Sequence, residues 1–147
     1  MLDINSISIA SDHAGYIVKD MIVDFLKNDL KLSSVLNLGC DSSDSVDYPD
    51  YSKKVCSNIL NGISNYGILV CGTGIGMSMA ANKISTIRAA LCKDAYAAIM
   101  TRQHNNANVL CIGARNTDPN TINEIVHAFL VTNFDGGRHQ KRISKFS

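Results

Sequence analysis

Five short apolar stretches alternate with helical patterns along this chain of 147 residues. Runs rich in aliphatic and β-branched residues predict strands at residues 4–10, 35–38, 67–71, 87–92 and 109–112. Apolar residues at helical spacing predict helices around residues 17–26, 49–60, 77–83, 95–102, 118–130 and 138–146. The alternation predicts a single-domain, Rossmann-like α/β fold in three layers, with a five-stranded parallel sheet and helices on both faces.

The size and composition narrow the class of protein. One domain over residues 1–147 can bury ~70% of its unfolded surface, and a net charge of +1 gives no basic excess for nucleic acid. No apolar run approaches the ~20 residues of a membrane span, and the N-terminus lacks a signal-peptide pattern. We therefore expect no nucleic-acid or membrane partner.

The cysteines indicate a reducing environment. The chain has five cysteines, an odd number, and no two have the Cys-x-x-Cys spacing. Neither a disulfide framework nor a zinc site is therefore predicted. The expected location is the cytoplasm.

A glycine-rich turn between the third strand and its helix carries the strongest functional signal. Backbone N–H groups at a helix start favour an anion, and here Cys71 stands at the edge of the turn. A dinucleotide fingerprint would need glycine at Met77, and no Walker lysine closes the turn. The alternative is a tight connection whose glycines only allow the backbone to turn. The candidate anion-binding residues are Gly72, Thr73, Gly74, Ile75 and Gly76.

Further polar residues stand where a packed core does not require them. They are Asp12 and His13 after the first strand, His104 and Asn105 at the end of the fourth helix, Arg115 after the fifth strand, and Arg138 and Arg142 in the tail. Arg138 and Arg142 have i,i+4 spacing and so share one helix face, where a phosphate can bind both. Each residue also has an ordinary structural explanation as a helix cap, loop residue or solvated charge.

Five blocks, spread in order over nearly the whole chain, resemble ribose-5-phosphate isomerase type B. That enzyme belongs to a family that also contains allose-6-phosphate and galactose-6-phosphate isomerases. The blocks are Ser11-Asp-His-Ala-Gly15, Val46-Asp-Tyr-Pro-Asp-Tyr51, Cys71-Gly-Thr-Gly-Ile-Gly76 together with Ala80-Ala-Asn-Lys83, Arg102-Gln-His-Asn105 and Gly136-Gly-Arg-His139.

The resemblance implies an aldose–ketose isomerase of the non-oxidative pentose phosphate pathway that needs no cofactor. Ribose 5-phosphate and ribulose 5-phosphate would interconvert through an enediolate. By similarity, Cys71 is the base that takes the C2 proton, and His104 is the acid that opens the furanose. Thr73 would assist His104, and Asp12 would contact the sugar hydroxyls and move protons between O1 and O2.

The same resemblance assigns the remaining contacts. The glycine turn would stabilise the enediolate, and Tyr48 would line the pocket. Some relatives use a glutamate as the base, but Met77 occupies that position here, which indicates the cysteine-dependent group. Residues that resemble the family's phosphate ligands are His13, Arg138 and Arg142, and those that resemble further substrate contacts are Asn105 and Arg115.

The chain order adds a topological prediction. His104 and Asn105 immediately precede the fifth strand, so in one subunit they should lie at the sheet edge opposite Cys71. We therefore expect a homodimer, or a dimer of dimers, with each active site shared between subunits.

The alternative functions are a six-carbon sugar-phosphate isomerase and a non-catalytic domain that binds a phosphorylated ligand. A dehydrogenase is disfavoured by Met77 and by the short single domain.

Overall fold

The computed structural model describes residues 4–146 and contains a five-stranded parallel sheet. The strand order is β2-β1-β3-β5-β4, and every neighbouring pair is parallel. The predicted fold class is confirmed. The strands are β1 (Ile7–Ser11), β2 (Val35–Asn37), β3 (Tyr66–Cys71), β4 (Ala89–Leu91) and β5 (Val109–Gly113).

Helices connect the strands and cover both faces of the sheet. They are α1 (Tyr16–Asp24), α2 (Tyr48–Leu60), α3 (Ile75–Asn82), α4 (Ala95–Asn105), α5 (Ile122–Val131) and α6 (Arg138–Ile143). A π-helical turn at Phe25–Asp29 extends α1, and a 3₁₀ turn at Pro119–Thr121 precedes α5. Every helix within residues 4–146 falls short of the length and hydrophobicity that a membrane crossing requires.

The two ends of α4 show how the local sequence sets the boundaries of a helix. The Asp94 carboxylate accepts the N–H of Ala97 at 2.7 Å, so the predicted N-cap of α4 is confirmed. The same helix ends at Asn105, within the predicted end at residues 103–105, and Asn106 follows as the C-cap with a left-handed backbone. The C-cap explanation for Asn105 is therefore wrong, because Asn105 is still helical.

Each face of the sheet packs one apolar cluster. Ile7 and Ile9 of β1 point into the cluster beneath α1, α4 and α5. Leu69 and Cys111 point into the opposite cluster, beneath α2 and α3. Because β3 and β5 are buried on both faces, their sequences are continuous apolar runs, as expected for central parallel strands.

The strand order changes direction between β1 and β3. The chain leaves β1 towards β2 on one side and leaves β3 towards β4 and β5 on the other. In open parallel sheets, ligands bind outside the carboxyl ends of the strands at such a switch point. Ser11 of β1 and Cys71 of β3 end the strands there.

Candidate active site

The loop after β1 is ordered by its own polar side chains. Asp12 is buried, and its Oδ1 accepts the N–H groups of Ala14 and Gly15 at 3.0 and 3.1 Å. Nδ1 of His13 accepts the N–H of Val46 at 3.2 Å, so in the neutral ring the proton sits on Nε2. This ring can therefore donate a hydrogen bond from Nε2.

The glycine turn folds back onto the Cys71 thiol. Sγ of Cys71 accepts the N–H of Gly74 at 3.1 Å, and the side chain is only 5% exposed. Gly74 has φ of +76°, and a Cβ there would lie 2.5 Å from Leu91 Cδ1. Oγ1 of Thr73 accepts the N–H of Ile75 at 3.3 Å. Two amides of the predicted cradle thus already have partners inside the turn, so an anion would have to replace them.

Arg115 and Tyr48 lie against the same turn. A Cβ on Gly72 would be 3.1 Å from Nη1 of Arg115, whose backbone N–H donates to the Gly72 carbonyl at 2.9 Å. A Cβ on Gly76 would be 2.7 Å from the Tyr48 ring. The absence of side chains at these glycines allows both residues to approach the turn.

The predicted acid lies at the opposite edge of the sheet. His104 and Asn105 occupy the last turn of α4, and the chain then reaches β5 through Asn108. The Asn108 carbonyl accepts the N–H of Gly67 at the start of β3 at 2.9 Å. Because β3 has six residues, at about 3.3 Å each, the amino end of the strand is about 17–20 Å from Cys71.

Two arginines hold the last turn of α4 through hydrogen bonds. Arg102 is 4% exposed and donates to the carbonyls of Thr132 and Ala107 and to the Tyr66 hydroxyl. Nε of Arg88 donates to the Asn105 carbonyl at 3.1 Å. These contacts hold the helix turn that carries His104.

α6 docks on this end of α4 and adds a second imidazole. The rings of His104 and His139 stack with centroids 4.2 Å apart and an interplanar angle of 12°. The Asp135 N–H donates to the Gln103 carbonyl at 3.1 Å, which ties the segment before α6 to α4. Arg138 and Arg142 lie on α6 and are exposed. The structure therefore brings His104, Asn105, Arg138 and Arg142 to one edge of the sheet.

His139 lies beside His104, and no role was predicted for it from the sequence. Its place in the block at residues 136–139, which carries part of the resemblance, is the sequence signal that could have pointed to it. Burial lowers the pKa of His139, as do His104, Arg138 and Arg142, while Asp135 acts in the opposite direction.

His104, Asp135 and His139 also hold their potential metal-ligating atoms within 4.8 Å of one another. An imidazole binds a metal through a lone pair in the plane of its ring. Because the two rings are nearly parallel, these lone pairs do not converge on one point. As the rings stand, this cluster does not fit a single metal ion.

The other thiols belong to the core. All five cysteines are free and buried. Burial raises the pKa of Cys56 and of Cys111, and burial together with Asp94 raises that of Cys92 to about 12. These three thiols therefore stay protonated near neutral pH.

A groove of about 730 Å³ lies beside Asn105 rather than at the glycine turn. Arg88, the segment between α3 and β4, and Ile143 and Phe146 at the C-terminal end contribute to its walls. Ile75 and Met79 expose 45% and 65% of their surfaces on neighbouring turns of α3. Apolar surface is therefore available near both halves of the predicted site.

Comparison with known proteins identifies the family. Residues 7–146 match the model of the Ribose/Galactose Isomerase family. The chain belongs to this family. A putative sugar phosphate isomerase of Rickettsia bellii is 48% identical and covers 95% of each chain. The ribose-5-phosphate isomerase B of Escherichia coli is 42% identical over 93% of this chain and 91% of the relative.

Solved structures within the ribose/galactose isomerase family share the fold. The ribose 5-phosphate isomerase of Thermotoga maritima is 47% identical, has a TM-score of 0.93 and covers 96% of each chain. The type B enzyme of Trypanosoma brucei is 44% identical, with a TM-score of 0.92 over 97% of this chain and 96% of that one. The resemblance inferred from the five blocks is confirmed, and the protein is an isomerase of this family.

Proposed function

We propose that this protein interconverts D-ribose 5-phosphate and D-ribulose 5-phosphate with Cys71 as the base. The observation that carries the proposal is the Cys71 thiol at the strand switch point, with the Gly74 amide donating to its sulfur. Relatives named ribose-5-phosphate isomerase B at more than 40% identity support the substrate.

In the proposed reaction, the Cys71 thiolate takes the proton from C2, and the same proton returns at C1. Between these two transfers, negative charge develops on the sugar oxygens. The amides of Gly74 and Ile75 stabilise this charge after they exchange Cys71 and Thr73 for the substrate oxygens. Asp12 contacts the sugar hydroxyls and moves protons between O1 and O2. The low exposure of the sulfur keeps bulk water from the carbanion centre.

The cyclic sugar must open before C2 can lose its proton. In this proposal, His104 protonates the ring oxygen, with help from Thr73. Asn105 and Arg115 bind the sugar, and the phosphate is bound by His13, Arg138 and Arg142.

The complete site requires two chains in this proposal. The Cys71 and His104 groups lie at opposite edges of one sheet, so a two-fold axis would bring the His104 edge of one chain to the glycine turn of another. The exposed Ile75 and Met79, which follow the turn, provide apolar surface for such a homodimer or for a dimer of dimers. A fully active monomer would contradict this arrangement.

A six-carbon sugar phosphate is the second candidate substrate. The family description includes galactose isomerases, and several relatives are named only as sugar phosphate isomerases. Assays with ribose 5-phosphate, allose 6-phosphate and galactose 6-phosphate, side by side in EDTA, separate these substrates. We expect the highest kcat/KM with ribose 5-phosphate and no loss in EDTA.

The role of the base is tested by Cys71→Ala. Loss of a general base lowers kcat by about 10²–10⁴-fold, while binding of the sugar phosphate remains. Cys56→Ala is the matched control, because Cys56 is a buried thiol on α2. Full turnover by Cys71→Ala would contradict the mechanism and favour a protein that only binds phosphate.

The cytoplasmic location and the role in the pentose phosphate pathway remain predictions, which cell fractionation and growth on pentoses can test.

A further inference from the structure

A second imidazole covers one face of the predicted acid. The His139 ring lies 4.2 Å from the His104 ring, centroid to centroid, and is nearly parallel to it. The two rings come from different helices, α4 and α6, and the hydrogen bond from Asp135 to Gln103 joins the backbones beside them. His139 is 7% exposed, so the ring is packed in place rather than free in solvent.

Positive charge surrounds His139 on its own helix. Burial and His104, followed by Arg138 and Arg142, lower the pKa of His139, and Asp135 is the one acid that opposes them. An anion bound by the two guanidiniums would offset their positive potential at the ring. The same anion would therefore favour the protonated form of His139.

We propose that His139 is a positioning residue that holds the His104 ring in place and gains a proton when an anion binds Arg138 and Arg142. The proton comes from solvent and bonds to a ring nitrogen of His139, and no other bond changes. Under the proposed function, on which this role rests, the anion is the substrate phosphate. Its arrival would place a proton beside the acid that opens the sugar.

Proton uptake on binding sulfate tests the link without catalysis. Sulfate is a suitable probe because it does not titrate near neutral pH. Calorimetric titration at pH 6.5 in two buffers of different ionisation enthalpy gives the number of protons taken up. We expect uptake of a fraction of one proton per chain for the wild-type protein and almost none for His139→Phe. His127→Phe is the matched control, because His127 is exposed on α5, and it should behave like the wild type.

Equal uptake by the wild type and His139→Phe, or no uptake by the wild type, would overturn the proposal. NMR titration of the wild-type histidines covers the case in which His139→Phe folds poorly. The His139 midpoint should move to higher pH with sulfate, and an unchanged midpoint would also overturn the proposal.

The holding role is tested by comparing His139→Ala with His139→Phe. Loss of the ring in the alanine variant should lower kcat for ribose 5-phosphate about tenfold with KM within about twofold, and phenylalanine should restore part of it. Wild-type kcat in His139→Ala would refute the holding role. If the wild type itself lacked isomerase activity, the proposed function would fail, whereas the sulfate-linked proton uptake would still be measurable.

Discussion

The parallel strands end at two opposite edges of the sheet: the carboxyl edge, where their C-terminal ends lie, and the amino edge, where their N-terminal ends lie. Polar residues are held differently at these two edges. At the carboxyl edge, backbone turns fix the side chains: the Asp12 carboxylate and the Cys71 sulfur both accept amides from the turns that follow them, and both are buried. At the amino edge, His104 and His139 are held by packing between two helix ends, and Arg138 and Arg142 project into solvent.

The difference follows from the parallel topology. The loops that follow the strands bring backbone amides to the carboxyl edge, whereas the last turn of each returning helix lies at the opposite edge. A single chain can therefore build an amide-rich half and a cation-rich half, but its own sheet separates them. Under the proposed function, symmetry between two chains would join them.

Mixing two inactive variants gives the largest expected effect. Cys71→Ala and His104→Gln should each be nearly inactive. If the halves come from different chains, equal amounts unfolded and refolded together should recover about 25% of wild-type activity, because half of the dimers are mixed and each contains one intact site. Activity measured against the fraction of mixed dimer checks this. A mixture no more active than its components would place both residues in one chain's site.

The carboxyl edge depends on backbone conformation, so Gly74→Ala should be damaging. The new Cβ would lie 2.5 Å from Leu91 Cδ1 and 3.0 Å from the Gly113 nitrogen, at φ of +76°. We expect a loss of about 3 kcal/mol in the free energy of unfolding, together with most of the activity. Gly136→Ala is the control at the other edge: φ is +68°, and its Cβ meets nothing within 4 Å. It should cost about 1 kcal/mol, and equal losses in urea unfolding would refute the comparison.

The amino edge depends on charge. Arg142→Gln should raise KM for the sugar phosphate about 10–100-fold with a smaller change in kcat, because one charge-assisted contact to the phosphate is lost. Lys145→Gln removes a nearby positive charge just beyond α6 and should leave KM within about twofold. Initial-rate kinetics of both variants at the same ionic strength provide the measurement. Similar KM values for the two would show that only the general positive charge of the tail matters.

The smallest expected effect is on stability at acid pH. The pKa of His139 is lowered in the folded state, so below the unfolded value of about 6.5 the unfolded chain binds more protons. The native state should therefore lose stability as the pH falls from 7.5 to 5.5, and His139→Phe should lose less over this range. Urea midpoints at both pH values, with His127→Phe as control, measure the difference. A steeper loss in His139→Phe would contradict the assigned direction.

The sequence predicted the parts of this structure that depend on neighbouring residues. Central strands buried on both faces are continuous apolar runs, and the cap at Asp94 needs only the three residues that follow it. Edge strands were less predictable: β4 covers Ala89–Leu91 where residues 87–92 were expected, because pairing on only one side supports a shorter strand.

Contacts between distant segments could not be read from the sequence. Lys19 is a buried charge on α1 whose Nζ donates to Asn37 at 2.8 Å and pairs with Asp20 and Asp41. Composition alone would place a lysine in solvent. The stack of His139 on His104 joins residues in separate helices and leaves no periodic pattern. The occupied amides of the glycine turn likewise appear only in three dimensions.

Arg102 shows where this protein has little freedom to change. One guanidinium reaches the Tyr66 hydroxyl and the carbonyls of Ala107 and Thr132, and a lysine ammonium cannot span these three directions. Arg102 would not be identified as important by its distance from the sugar alone. Amino-acid substitutions should nevertheless be rarer at Arg102 than at many residues that line the substrate, because three segments of the fold would need to change together.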